Sequence, residues 1–134
     1  MKAKKILAVD DEPHLRFFLA ALFETAGYPI TIAKDGREGL RRARENKPDL
    51  IILDLMMPGE GGVPMYRQLK TDETLKRIPV IVLSGVAGRT FAHSLKMLSL
   101  GLETPLPEPE AYMEKPPRPE KLLTLAKNLL GDQL

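Results

Sequence analysis

The sequence predicts an α/β domain in which a parallel sheet is covered by helices on both faces. Three observations carry this. Short apolar runs and helical-period segments alternate five times along the 134 residues, the pattern of successive βα units. The clearest runs are nearly continuous in Val, Ile and Leu, as strands buried on both faces are. The length fits one domain and is enough to bury a core.

The elements follow in order. Ile6 to Val9 reads as the first strand, closed by Asp10, Asp11 and Glu12. Pro13 suits the first turn of a helix, with the acids beside its positive end. Leu15, Phe18, Leu19, Leu22, Phe23 and Ala26 recur at helical spacing, and Gly27 stops the helix. Pro29 to Ala33 is a short second strand. Asp35 with Glu38 forms a capping-box-like start to a second helix carrying Arg37, Arg41, Arg42 and Arg44 outward, ended by Asn46 to Pro48. The third strand runs from Leu50 to Leu55, interrupted only by Asp54 near its carboxyl end.

Pro58, Gly59, Gly61 and Gly62 then turn the chain sharply. Pro64 sits in the first turn of a third helix that packs Met65 and Leu69. Pro79 introduces a fourth strand, Val80 to Leu83, ending in Ser84 and Gly85. Thr90 is read as the cap of a fourth helix with Phe91, Leu95 and Leu98 inward and Gly101 at its end. Residues 102–110, LETPLPEPE, resist regular assignment because of their prolines. Ala111 to Glu114 is a weak fifth strand before Lys115 and Pro116. Pro119 opens a last helix with Leu122, Leu123, Ala126, Leu129 and Leu130 on one face, stopped by Gly131.

Composition excludes several classes. With 20 basic and 18 acidic residues, the net charge of +2 is too balanced to imply a polyanionic partner, so no direct nucleic-acid contact is expected. There is no cysteine, hence no disulfide framework or thiolate metal site. The basic N-terminus is followed by an apolar run of only Ile6 to Val9, too short for a signal peptide or membrane span. A cytoplasmic protein without a membrane partner is expected. His14 and His93 have no partner at ligand spacing and read as surface residues.

The chemistry lies at the strand ends. Ligands of open parallel sheets bind at the carboxyl ends of the strands, where this sequence delivers Asp10 and Asp11, then Asp54, then Ser84 and then Lys115. Converging carboxylates repel one another and need a cation. Hard oxygen ligands in a wet cleft favour Mg²⁺, with Mn²⁺ as the alternative. A hydroxyl and an ammonium beside them add what a phosphoryl group requires, and a charge-compensated carboxylate can then act as a nucleophile.

With these residues assembled, the chain resembles a known family. VDDEP at 9–13, IILDLMMPG at 51–59, VIVLSG at 80–85 and EKP at 114–116 are similar to the motifs of response regulator receiver domains of two-component signalling. The four fall in family order over nearly the whole chain. The resemblance implies a single receiver domain, residues 1–134, with a flavodoxin-like (βα)5 three-layer fold and strand order 2-1-3-4-5. It implies that Asp54 accepts a phosphoryl group from a sensor histidine kinase or phosphotransfer protein in a phosphorelay. It implies Mg²⁺ held by Asp10, Asp11, Asp54 and the backbone carbonyl of Met56, with Ser84 and Lys115 contacting the phosphoryl group. Ser84 and Tyr112 match the switch pair, Pro116 a cis-proline, and the fourth helix, fifth strand and fifth helix the face that binds a downstream protein. The chain is then a phosphoacceptor switch and not a turnover enzyme.

Departures from the family pattern are specific. The stretch from Gly101 to Lys115 is longer than usual, and the surplus is the proline-rich segment 102–110. Pro117 stands where a bulky apolar residue is common, and Gly61 where an acid is common. Met56 and Val86, two beyond the acceptor and the hydroxyl, are apolar and are expected to hinder an attacking water and prolong the signal. Two rival readings remain: a phosphorylation-independent interaction module, suggested by the proline-rich segment, and an aspartyl-nucleophile Mg²⁺ phosphohydrolase. The second normally carries DxD on its first strand, whereas Asp10 and Asp11 are adjacent. The sequence does not separate a stand-alone regulator from a domain of a longer protein. Homodimerisation through the last helix is compatible with its apolar face, with nothing specific to support it.

Overall fold

The computed structural model describes residues 3–55, 62–85, 88–103 and 105–132. In chain order the elements are β1 (Ile6–Val9), α1 (Pro13–Thr25), β2 (Ile30–Ala33), α2 (Gly36–Asn46), β3 (Leu50–Leu53), α3 (Gly62–Thr71), β4 (Val80–Ser84), α4 (Gly88–Leu98), β5 (Ala111–Glu114) and α5 (Pro119–Leu130). The strands form one parallel sheet, as the alternation implies, in the order β2-β1-β3-β4-β5 that the family resemblance implies.

Alternation along each strand sorts the core into two layers. Leu7, Val9, Ile51, Leu53, Val80 and Val82 face Leu40 and Ala43 of α2, Met65, Tyr66 and Leu69 of α3 and Leu95 of α4. Ile6, Ala8, Leu50, Ile52, Ile81, Leu83 and Met113 face Leu19 and Phe23 of α1 and Leu122, Ala126 and Leu130 of α5. Strands β1, β3 and β4 are buried throughout, which is why their sequences read as unbroken apolar runs. Each fully buried aliphatic side chain contributes roughly 1.5–3 kcal/mol, so the three central strands carry much of the stability.

Helix ends follow local chemistry. Asp35 caps α2, its Oδ1 accepting the Glu38 N–H at 2.8 Å. Glu38 reaches back one residue further than a capping box would, accepting from the Lys34 N–H at 3.0 Å. Gly131 closes α5 at φ 76°, a left-handed conformation that glycine adopts without a Cβ clash. Lys47 holds the same region at φ 42° behind α2, and the following Pro48 bars the helix from continuing.

Several expectations need correction. The third strand ends at Leu53, so Asp54 and Leu55 lie just past it. Helix α4 begins at Gly88, which places Thr90 inside it and not at its cap. Arg42 is half-buried rather than outward, with an Nε that has no hydrogen-bond partner; its stem lines a small cavity with Lys5, Ile30 and Thr31. Met56, Pro58, Gly59, Gly61 and Val86, and the side chains of Phe91 and Leu98, lie outside the described residues.

Candidate functional site

Parallel register brings the strand ends to one edge. Val9 pairs with Leu53, so the next residues, Asp10 and Asp54, emerge side by side. The Asp54 N–H donates to the Val9 carbonyl at 2.9 Å and the Asp10 N–H to the Ala33 carbonyl at 3.1 Å. Ser84 pairs with Glu114, and the Lys115 N–H donates to the Ser84 carbonyl at 2.8 Å. The sheet therefore aligns all four residues before any side chain is considered.

The side chains complete the grouping. Asp10, Asp54 and Ser84 are buried, at 1%, 2% and 0% exposure. Carboxylates removed from water to this extent need a partner. Lys115 supplies it: its Nζ lies 3.0 Å from Asp10 Oδ2, 3.2 Å from Asp54 Oδ2 and 3.0 Å from Glu12 Oε1. The peptide bond between Lys115 and Pro116 is cis.

Asp10 is held from two further directions. Its Oδ1 accepts the Glu12 N–H at 2.8 Å, and Arg16 donates to its backbone carbonyl at 2.8 Å. Burial raises the Asp10 carboxyl above its ordinary range, aided by the neighbouring Asp54 charge, while the Glu12 N–H and Lys115 work against the rise. For Lys115, burial alone would lower its pKa. The hydrogen bonds to Asp10 and Glu12 and the charges of Asp10 and Asp54 outweigh that, and it lies above its ordinary value.

Asp11 is exposed beside them. Carboxylate oxygens of Asp10, Asp11 and Glu12 can all lie within 4.8 Å of one another. A set of hard oxygen donors that close fits a small divalent cation. Asp54 joins this group through Lys115. Met56, whose carbonyl the resemblance assigns to the metal, lies outside the described residues.

Tyr112 is half-buried against the α3–α4 side of the core. Burial first, and then the Glu114 and Asp54 charges, raise its phenol, against a hydrogen bond with the Ser84 hydroxyl. Tyr112 and Ser84 are thus in contact beside Asp54. Glu12 and Arg16 were not singled out as site residues from the sequence, where Glu12 reads as a surface acid. Their only sequence signal is position, at and just after the acidic end of β1.

A matching family model completes the identification: it covers residues 6–127 and describes the response regulator receiver domain. The chain belongs to this family. Receiver domains are the signalling modules of two-component systems. The phosphate regulon transcriptional regulatory protein PhoB of Pseudomonas aeruginosa is 34% identical over 130 residues, covering 97% of this chain and 53% of its own length. The polar-differentiation response regulator DivK of Brucella anthropi is 31% identical, covering 96% of this chain and 98% of its own. The chain thus spans about half the length of one curated relative, 53%, and nearly all of the other, 98%. Among solved structures, the receiver domain of a signal transduction histidine kinase from Syntrophus aciditrophicus matches with a TM-score of 0.81 and 32% identity, covering 96% of this chain and 91% of its own. Among the described residues, no helix is long and apolar enough to cross a membrane.

Proposed function

We propose that this receiver domain accepts a phosphoryl group on Asp54 and responds by shifting its α4–β5–α5 face. The observation that carries the reading is Lys115 Nζ, within 3.0 Å of Asp10 and 3.2 Å of Asp54 at the carboxyl edge of the sheet. It is a buried carboxylate beside a fixed cation and an acidic cluster that suits a divalent ion.

Mg²⁺, or Mn²⁺ in its place, would be held by Asp10, Asp11 and Asp54 with the Met56 carbonyl. When bound it neutralises phosphoryl oxygens and carboxylate charge. The chain's own residues do the rest. An Asp54 carboxylate oxygen forms the bond to phosphorus as the P–N bond of a phosphohistidine breaks, and the electron pair leaves with the imidazole nitrogen. Lys115, already at Asp54, neutralises a phosphoryl oxygen, and Ser84 donates a hydrogen bond to another. Drawing Ser84 toward the phosphoryl group removes it from Tyr112, which is the step that reaches the protein surface.

On this reading the donor is a sensor histidine kinase or a phosphotransfer protein, and the output partner is a protein. Residues 1–134 act as one receiver unit in the cytoplasm, as a switch and not a turnover enzyme. The test is labelling with acetyl phosphate, with and without Mg²⁺, on wild type and Asp54→Ala. One phosphoryl group per chain is expected, dependent on metal and absent from the variant. Full labelling of Asp54→Ala would overturn the site assignment. If beryllofluoride leaves the α4 resonances unchanged, the domain is instead a phosphorylation-independent binding module.

A further inference from the structure

Lys70, near the end of α3, is a buried cation that the proposed phosphoryl chemistry does not use. Its side chain is 2% exposed. A buried ammonium is costly unless paired. Its Nζ faces the Glu110 carboxylate oxygens at 3.2 and 3.5 Å and the Ile78 carbonyl at 3.4 Å, and stands 5.9 Å from the centre of the Tyr66 ring. Glu110 has a second attachment: its Oε1 accepts the N–H of Val80 at 2.7 Å. The first amide of β4 is thus bonded by a side chain from the residue immediately before β5.

We propose that Glu110, its charge balanced by Lys70, pins the register of β5 and so is a positioning residue for Lys115 and Tyr112. The functional part of this inference rests on the phosphoacceptor reading of Asp54; the register part does not. Strand β5 has 4 residues, of which only Met113 is buried. A short edge strand with so little apolar patterning specifies its own register weakly. A slip of one residue would carry Lys115 about 3.3 Å along the sheet, a displacement as long as its contacts with Asp10 and Asp54. It would also turn Tyr112 to the opposite face, away from Ser84.

The proline-rich segment ahead of Glu110 is fastened in the same sense. The Leu106 side chain is buried in the α3–α4 layer, and its N–H donates to Ser99 Oγ at 2.8 Å. Ser99 Oγ in turn donates to the Leu95 carbonyl of α4 at 2.8 Å. The Tyr66 hydroxyl donates to the Pro107 carbonyl. Residues 105–110 are therefore docked on α4 and α3 and bring Glu110 to Val80.

Two double variants test the pin without leaving a buried charge. Lys70→Met/Glu110→Gln keeps an oxygen acceptor for Val80, whereas Lys70→Met/Glu110→Met removes it at similar volume. Three measurements are compared at matched melting temperature: hydrogen exchange of Val80 and the β5 amides, the nuclear Overhauser contact between Tyr112 and Ser84, and the initial rate of acetyl phosphate labelling at saturating Mg²⁺. The Gln pair is expected to retain wild-type exchange and contact, with labelling within about twofold of wild type. The Met pair is expected to exchange Val80 at least about tenfold faster, lose the contact and label at least roughly tenfold more slowly, since a misplacement of about 1 Å can cost about a hundredfold. Equal exchange and contact in the two variants would overturn the pin. If wild type itself takes no label, the phosphoacceptor reading fails, and the exchange and contact measurements still decide the register.

Discussion

Lys115 Nζ and Asp54 Oδ2 lie 3.2 Å apart, yet that lysine is shared. Asp10 and Glu12 each stand 3.0 Å from the same nitrogen. One ammonium thus serves three acids, two of which, Asp10 and Asp54, are buried, and the raised Asp10 carboxyl is one consequence of that crowding. Burying two carboxylates against one ammonium costs stability unless a proton or a further cation joins them.

Asp54→Asn should therefore stabilise the domain in the absence of divalent metal. It removes one of two buried carboxylates that share Lys115 and leaves Asp10 the stronger claim on the cation. A gain of about 1 kcal/mol is expected, typical for relieving a site strained by function. For a domain of this length that corresponds to a rise of about 3–5 °C in Tm. Calorimetry in EDTA reads it directly. A lower Tm for Asp54→Asn would show that the Lys115 contact stabilises more than the carboxylate repulsion costs.

Magnesium should stabilise the same state. A ligand that binds only the folded chain adds about 2.7 kcal/mol at a concentration one hundred times its Kd. Wild-type Tm should rise with Mg²⁺ and return with EDTA. Asp11→Asn should blunt the response, since Asp11 is the exposed member of the acidic cluster and has little structural work to lose. An Asp11→Asn protein that responds to Mg²⁺ as wild type does would remove that residue from the metal site.

The proposed site was legible where backbone periodicity dictated it. Apolar runs ending in Asp10, Asp54 and Ser84, joined by helical segments, must place those residues at one sheet edge once the strands are parallel. Glu12 at Lys115 was not legible, because the two are 103 positions apart and meet only through side chains. Thr90 misled because a threonine before an apolar run marks a cap only if the residues ahead of it are not helical, and Gly88 already is. Lys70 left a trace that periodicity could have caught: it follows Tyr66 by one helical turn and shares its buried face. Its partner Glu110 left none, since it arrives from a segment without regular structure.

Alkaline pH should unfold the domain in one step linked to tyrosine ionisation. Burial, and then the hydrogen bond to Asp132 and its charge, push the Tyr28 phenol up to about 12. Burial and the charges of Glu110 and Glu108 raise Tyr66, and Tyr112 is raised as well. These are all 3 tyrosines of the chain. In the unfolded chain they ionise near an ordinary value of about 10. Above that pH the unfolded state has lost protons that the folded state keeps. Stability is therefore intact below about pH 10 and falls as pH rises toward the folded values. Tyrosinate absorbance and loss of helical circular dichroism should appear together, and Tyr28→Phe should shallow the slope. Tyrosinate forming near pH 10 in a fully folded protein would contradict these environments.

Gly62→Ala should damage both stability and the acceptor. Alanine favours helix by about 1 kcal/mol over glycine in an ordinary helix interior, and Gly62 opens α3. Space decides against it. A Cβ there would collide with the Asp54 carbonyl oxygen and stand 2.6 Å from Leu55 Cα and 2.7 Å from Asp54 C. These are backbone atoms, which no rotamer change moves aside, so the acceptor residue itself must shift. A net loss of about 1–3 kcal/mol is expected for such overpacking. Gly39→Ala is the comparison: its Cβ would meet Met65 Sδ at 2.8 Å and Val9 Cγ2 at 2.9 Å, and the methionine end can rotate. Gly62→Ala should thus melt at a lower temperature than Gly39→Ala and take up less phosphoryl label from acetyl phosphate. The reverse ranking in melts and labelling would mean that the chain between β3 and α3 yields more readily than the packed face of α2.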